Sequence, residues 1–401
     1  MKTPRQASYE SVYSWIKEGR FISESLNAWR AQSRPEERDW HLAQEISYGT
    51  IRSWRILEDY HQQFSVKIKN REKALLFIAY YQMHVMVRIP SYALVNETVA
   101  LAKKLFSLPT SRFFNAHLRK CLDIPITLPL TDDPIDLAKR FSFPNHFVEE
   151  LCARYDIETV KQILTCSNRT PITMIRQRTP EPPLEGLDRI DDTSYFIIQK
   201  GSFVETIAKN PNYYIQNVTP GALLDHLAKK MRKTPLSILD LCASPGGKSI
   251  LLHDYYPQAE LTVNDISEIK LKKLRENFQR CGVEANVTCF HGELFPDDKK
   301  FDLILVDAPC SNSGVLARRP EARWRLDTEG NLQEIQKNIL QHATTLLNPD
   351  GELWYMTCSI LSEENERLVQ EAGFHAIDPL TILPNEQGFD GGFACRIGKG
   401  T

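Results

Sequence analysis

Apolar side chains recur every three to four residues through much of the first 120 positions. The stretches 9–16, 40–48, 74–87 and 93–105 carry this pattern most clearly and predict helices. Pro90 should separate the last two, because proline cannot donate a helix-interior hydrogen bond. An all-α domain over residues 1–124 follows, with Trp15, Trp40, Tyr48 and Tyr80 expected in its core. Pro125, Pro129 and Pro134 then mark a linker. Residues 145–164 look helical, while 172–178 and 195–198 look like strands, which predicts a small α+β module over 135–210. From residue 211 onward, short apolar runs alternate with helical segments. Strands are predicted at 236–242, 261–265, 301–307 and 351–357, and helices at 221–232, 249–255, 269–281 and 332–347. That alternation predicts a doubly wound, mostly parallel α/β sheet over 211–401. Such sheets bind ligands at the carboxyl ends of their strands, so the informative loops follow Cys242, Asn264, Val306 and Met356.

The length of 401 residues suits a multidomain chain of this kind. With 42% hydrophobic and 25% charged residues, the composition is that of a folded globular protein and excludes a disordered one. No apolar run is long enough for a membrane span, and the first residues lack the apolar core of a signal peptide. A cytoplasmic location without membrane association is expected. The nine cysteines are odd in number and scattered, the closest pair being Cys281 and Cys289, and no C-x-x-C occurs. Reduced thiols and no metal site are expected. The net charge of −2 hides an asymmetry. Residues 1–123 hold 19 Lys and Arg against 12 Asp and Glu; the remainder holds 30 against 39. A basic front domain suits an anionic partner such as nucleic acid, although solubility alone would also account for it.

Four loops carry the candidate chemistry. The first is Asp240-Leu-Cys-Ala-Ser-Pro-Gly-Gly-Lys248, whose adjacent glycines let backbone N–H groups approach a ligand at a helix start. A nucleotide-hydrolysing P-loop would need glycine where Cys242 stands, so a nucleoside-type cofactor or a plain tight turn remains. The second loop supplies Asp265 at a strand end, where an acid can bind ribose hydroxyls or merely cap a helix. The third and fourth place Cys310 and Cys358 just past strand ends, a poor place for core-filling cysteines and a good one for thiolate catalysis.

Asp240–Lys248 together with Asp307-Ala-Pro-Cys310 and Thr357-Cys-Ser359 resemble the signature motifs of the RNA cytosine-C5 methyltransferases, which use S-adenosylmethionine. Ile46–Arg52, Arg88–Ala93, Asn96–Val99 and Phe114–Arg119 resemble the NusB-like domain of the family's bacterial 16S rRNA branch. The resemblance implies an all-α NusB-like N-terminal domain, the small α+β module, and a Rossmann-like class I methyltransferase domain. It implies S-adenosylmethionine bound by Cys242, Ala243, Ser244, Pro245, Gly246, Gly247, Lys248 and Asp265, with Asp307 closing the site. Glu293 falls where the family has aspartate near the adenine. Cys358 would add to C6 of the cytosine, Cys310 would serve the release step, and Asp307 would bind the N3/N4 edge. Related DNA enzymes use the Pro-Cys cysteine as nucleophile, which leaves the opposite assignment open for Cys310.

The chain departs from the family pattern at Asn312, where glycine is common, at Gln216-Asn217 and at Arg176-Gln177. Arg318, Arg319, Arg323 and Arg325, with Trp324 among them, are expected to contact RNA; the alternative is a solvated helix with Trp324 in the core. The implied partner is 16S rRNA, with its cytosine looped out or single-stranded, acted on by a monomer. Rival readings are the same chemistry on tRNA or 23S rRNA, and a non-catalytic RNA-binding assembly factor.

Overall fold

The computed structural model describes residues 2–86, 89–198, 202–296, 298–326 and 331–399. Val87 and Arg88, which belong to two of the predicted stretches, lie outside the described residues. The first part of the chain forms helices α1 (Pro4–Glu18), α2 (Ile22–Ser33), α3 (Glu37–Arg52), α4 (Trp54–Gln62), α5 (Asn70–His84), α6 (Ser91–Leu105), α7 (Leu108–Cys121), α8 (Pro134–Phe141), α9 (Asn145–Arg154) and α10 (Ile157–Asn168). Local chemistry sets their ends. Thr3 Oγ1 accepts the Gln6 N–H at 3.2 Å and Pro4 follows, so α1 starts there; Gly19, left-handed at φ 66°, stops it. Asp133 and Pro134 start α8 in the same way. The stretch 145–164 is not one helix. Asp156 accepts the Thr159 N–H at 3.0 Å, which ends α9 and starts α10.

The chain divides into two compact units, Met1–Asn168 with Arg319–Trp324, and Arg169–Arg318 with Arg325–Thr401. This differs from the predicted division at 124 and 210. Helices α8 to α10 fold with the preceding helices, held by Arg55: its Nη1 donates to Phe143 O at 2.6 Å and its N–H to Ser142 Oγ at 3.1 Å. The strands of the expected middle module belong to the second unit. The helical core contains Val12, Leu26, Trp40, Ile46, Phe77 and Tyr80, with Trp15 and Tyr48 packed against it.

Arg319–Trp324 enter that unit from far along the chain. Trp324 packs against the helical core and its Nε1 donates to Ile51 O at 3.1 Å. Arg323 is completely buried. Its Nη1 donates to Ser142 O at 3.1 Å, Arg52 O at 3.3 Å and Asn168 Oδ1 at 2.8 Å, its Nη2 to Ser167 O at 3.2 Å, and its guanidinium stacks on Phe143. Burial, then nearby Arg52, press its pKa downward.

The second unit opens with β1 (Met174–Gln177), β2 (Leu187–Arg189), β3 (Tyr195–Ile198), α11 (Ser202–Lys209) and β4 (Tyr213–Ile215); the strands form an antiparallel sheet in the order β2-β3-β1-β4. Then follow α12 (Val218–Ala228), β5 (Ser237–Asp240), α13 (Gly247–Tyr255), β6 (Glu260–Asn264), α14 (Glu268–Cys281), β7 (Asn286–Thr288), β8 (Phe301–Asp307), α15 (Leu332–Thr345), β9 (Leu347–Thr357), α16 (Glu366–Glu371), β10 (Phe374–Ile382) and β11 (Gly392–Lys399). The seven strands from β5 onward form one sheet in the order β10-β11-β9-β8-β5-β6-β7. Pairing is parallel from β9 to β7, while β11 runs antiparallel between β9 and β10. Both faces are buried: Leu303 and Leu305 of β8 join Leu223 and Ile250, and Ile304 and Val306 join Ile339 and Leu340.

Arg323→Ala should destabilise the helical unit by about 3 kcal/mol, because several charged hydrogen bonds are lost and their carbonyls stay buried. Urea titration followed by tryptophan fluorescence reads this directly, since five of the six tryptophans lie in that unit. An unchanged midpoint would refute the assignment.

Candidate active site

The site begins where β5 leaves the sheet. Asp240 is fully buried and its Oδ2 accepts from Ser249 Oγ at 2.6 Å, which ties strand to helix across the loop. Within the loop, the Ala243 N–H donates to Asn264 O at 2.8 Å and the Gly246 N–H to Ala243 O at 2.7 Å. Gly246 has φ 100°, a conformation costly for other residues, and a Cβ there would stand 2.8 Å from the Phe278 ring. A Cβ on Gly247 would come equally close to Tyr214. The two glycines are thus needed for the protein's own packing. Asn277 Nδ2 holds Pro245 O at 2.9 Å.

Asp265 follows β6. Its two oxygens accept the N–H of Ser244 at 3.2 Å and of Ser267 at 2.9 Å, so it ties the first loop to the second. Glu293 sits on the 3-10 turn Gly292–Leu294, with Oε1 3.4 Å from His291 Nδ1. Asp307 ends β8 and accepts from Lys248 Nζ at 2.6 Å. The carboxylates of Asp240, Asp307, Asp265 and Glu293 all act on the Cys242 thiol, adding to burial in pushing its pKa up. Burial opposes the charge on Lys248, but Asp307 outweighs it and holds the ammonium above its usual range. Ser244 Oγ and Asp240 Oδ1 are buried without a protein partner. The predicted cofactor residues therefore converge on one acidic rim that retains unused polar atoms.

The two rim cysteines meet because β8 and β9 are parallel neighbours, with Asp307 opposite Met356. Cys310 Sγ and Cys358 Sγ are 2.9 Å apart, unbonded and in hydrogen-bond contact. That contact, with burial, pushes the Cys310 thiol well up. Several polar side chains hold the loops together. Glu364, almost wholly buried, accepts the Ser311 N–H at 2.8 Å and also binds the Ser311 hydroxyl, while Gln336 Nε2 donates to Pro309 O at 2.8 Å. Ser313 Oγ and Ser359 Oγ lie 2.8 Å apart, and the Gly314 N–H donates to Cys358 O at 2.9 Å. Sequence reasoning missed Glu364 and Gln336, and gave Ser313 and Ser359, which lie within the loops it singled out, no role of their own. Glu364 stands in an acidic run beside Glu363 and Glu366, so no spacing singled it out.

The arginines diverge from the expectation that all four contact RNA. Arg323 is corrected to a structural residue: it is enclosed in the helical unit and its terminal nitrogens are committed to protein oxygens. Arg318 pairs with Asp390 at 2.8 Å and donates to Ile172 O at 3.0 Å. Arg319 is exposed, with its guanidinium over Phe21, and Arg325 is half-buried. The departure at Asn217 also has a local role: its Oδ1 caps α12 through the Thr219 N–H at 3.1 Å and accepts the Asp390 N–H at 3.0 Å. Arg176 is buried against Asp254 at 2.7 Å. Among the described residues, no group of His, Cys, Asp and Glu is arranged to hold a metal ion, and no helix is long and apolar enough to cross a membrane.

Burial pushes the Asp240 carboxyl up to about 7, Asp307 adding to the rise and the Ser249 hydrogen bond opposing it. A carboxyl raised in the folded state stabilises most when protonated. Its contribution is full below the ordinary value of 3.8 and is lost as the pH climbs to about 7. Asp240→Asn should therefore flatten the fall in stability across that window. Urea midpoints measured for both proteins at a series of pH values check this; parallel curves would contradict it.

A family model described as 16S rRNA methyltransferase RsmB/F matches residues 227–387, and the NusB family model matches residues 2–123. The ribosomal RNA small subunit methyltransferase B of Vibrio cholerae is 30% identical over 430 residues, covering 98% of this chain and 97% of that protein. The protein of the same name from Shewanella oneidensis is 26% identical, covering 99% of each. Among solved structures, PH0851 is similar with a TM-score of 0.79 at 18% identity, covering 100% of this chain and 99% of that one. A methyltransferase homolog protein from Pyrococcus horikoshii gives 0.54 at 21% identity, covering 67% and 100%. These two likenesses concern the fold. The match to the Vibrio cholerae protein runs nearly end to end, and the chain belongs to the RsmB/F family of S-adenosylmethionine-dependent 16S rRNA methyltransferases.

Proposed function

We propose that the protein methylates C5 of a specific cytosine in 16S rRNA through a covalent adduct between Cys358 and C6 of the base. The observation that carries this reading is the 2.9 Å contact between Cys358 Sγ and Cys310 Sγ, beside the Lys248–Asp307 pair. S-adenosylmethionine, when bound, supplies the methyl group. The rim fits it: the carboxylates around Cys242 suit a ligand bearing sulfonium and ammonium charges, and Ser244 Oγ offers an unused buried hydroxyl. Asp265 and Glu293 are the acids we assign to the nucleoside end.

Cytosine C5 is a weak nucleophile. Having released its proton to solvent, Cys358 adds to C6 as a thiolate, and the electron pair of the C5–C6 double bond becomes available at C5, where the bond to the methyl carbon would form as the donor's methyl–sulfonium bond breaks to leave a thioether. Asp307, held by Lys248 Nζ at 2.6 Å, accepts the N4 amino hydrogen and so orients the N3/N4 edge, while the Lys248 ammonium offsets the negative charge gathering in the ring. Cys310 gives its own proton to solvent, removes the C5 proton as a thiolate, and the Cys358 sulfur leaves C6 as a thiolate, which restores the ring. The hydrogen bond to Cys358 is the largest cause of the raised Cys310 pKa. It is weakened once the Cys358 sulfur is bonded to carbon, so Cys310 gives up its proton more readily after the adduct forms than before. A paired base cannot reach either thiol, so the target is looped out or single-stranded. The basic residues of the first 123 positions and exposed Arg319 are the RNA contacts we assign, with the protein acting as a monomer in the cytoplasm.

Total bacterial RNA incubated with methyl-labelled S-adenosylmethionine should gain 5-methylcytosine in 16S rRNA. Cys358→Ala should reduce the label to background, and Cys310→Ala should accumulate a covalent protein–RNA adduct. Label surviving in Cys358→Ala but not in Cys310→Ala would reverse the two roles. Label confined to tRNA or 23S rRNA would overturn the target, and failure to bind S-adenosylmethionine would leave an RNA-binding assembly factor.

A further inference from the structure

Asn312 lies between the two cysteine loops in a left-handed conformation, φ 63°, which side chains other than glycine and asparagine rarely adopt. Both its neighbours are pinned. Ser311 is bound by Glu364 through backbone and hydroxyl, and Ser313 by Ser359 Oγ and by the Ile360 N–H at 3.0 Å. The backbone therefore aims the Asn312 amide at one place. Its Nδ2 donates to Cys310 O at 2.9 Å, and its Oδ1 accepts from Cys358 Sγ at 3.5 Å. Because Nδ2 is committed to a carbonyl, the atom facing Cys358 is an acceptor. That fixes the direction of the neighbouring contact: Cys358 donates its S–H to Asn312, so its sulfur receives the S–H of Cys310 across 2.9 Å.

We propose that Asn312 is a positioning residue for the methyl transfer, closing a ring of hydrogen bonds that holds the resting Cys358 thiol in place beside Cys310 until its proton is released and the sulfur attacks. The inference rests on the reaction assigned above. Glycine at this position keeps the left-handed backbone but leaves either thiol free to donate and the Cys358 sulfur free to turn. Aspartate keeps shape and backbone but cannot donate to Cys310 O, and sets a negative charge beside the sulfur that must become a thiolate.

Single-turnover transfer to 16S rRNA, compared in wild type, Asn312→Gly and Asn312→Asp, tests the role. The rate constant should fall about tenfold in Asn312→Gly and further in Asn312→Asp, as expected for a misplaced reacting atom. KM for both substrates should stay within about twofold, since binding is untouched. A purely structural role predicts the opposite order, with Asn312→Asp close to wild type. Iodoacetamide labelling of the free protein, mapped by mass spectrometry, reads the thiol without catalysis. Cys358 should be labelled several-fold faster in Asn312→Gly, whose sulfur is released, and more slowly in Asn312→Asp, at unchanged melting temperature. Unchanged transfer and labelling in Asn312→Gly would overturn the proposal. If the wild type transferred no methyl group, the reaction assigned above would fail, while the labelling would still decide whether Asn312 positions Cys358.

Discussion

The parallel register between β8 and β9 is the constraint on which the site depends. Asp307 pairs with Met356, so the two strands leave the sheet side by side and deliver one cysteine each to the same place. A slip of one residue would turn the side chains of one strand to the opposite face and separate the thiols. Hydrophobic alternation on β8 protects that register, because Leu303 and Leu305 must face one core and Ile304 and Val306 the other. Ladder bonding continues past the strand end: the Ala308 N–H still reaches Met356 O at 2.9 Å, which carries the strand geometry into the catalytic loop.

Beyond the strand ends, polar side chains replace the ladder. Asn365 shows how densely they are used. Its Oδ1 accepts from Thr357 Oγ1 at 2.6 Å and its Nδ2 donates to Ser359 O at 3.0 Å, so one buried amide brackets Cys358 from both sides. Such networks are costly when incomplete and rigid when satisfied. Glu364, Asn365 and the Ser313–Ser359 pair are nearly all paired, whereas Asp240 and Ser244 on the cofactor side keep atoms in reserve. The thiol loops are thus densely cross-linked, with Gln336 Oε1 left over there, and the cofactor side keeps Asp240 Oδ1 and Ser244 Oγ for a ligand.

Much of this was legible in the sequence. The alternation of strand and helix after residue 211 gave the sheet, and the motifs around Cys242, Asp265, Asp307, Cys310 and Cys358 lie together at its carboxyl edge. What escaped has physical reasons. Arg323 and Trp324 read as an RNA-facing pair because Arg and Trp side by side suit phosphate and base equally well; only the carbonyls of Ser142, Ser167 and Arg52, distant in sequence, reveal the guanidinium's true partners. The break between α9 and α10 depends on one capping aspartate within a continuous apolar rhythm. The unit boundary near 168 was hidden because the Pro-rich linker at 125–134 looks like a hinge, although the helices beyond it fold back onto Arg55.

The intrusion of Arg319–Trp324 into the helical unit makes that unit discontinuous in the gene. No single cut separates the two parts of the coding sequence cleanly. A shortened protein starting at residue 169 would carry Arg323 and Trp324 stripped of their carbonyl acceptors, and one ending at 168 would have a hole where they belong. Exchange of the first 168 codons with a relative would meet the same obstacle unless the six codons after Arg318 travelled with them. The helical part and the segment that follows the Cys310 loop therefore make one folding unit out of two distant stretches of the chain.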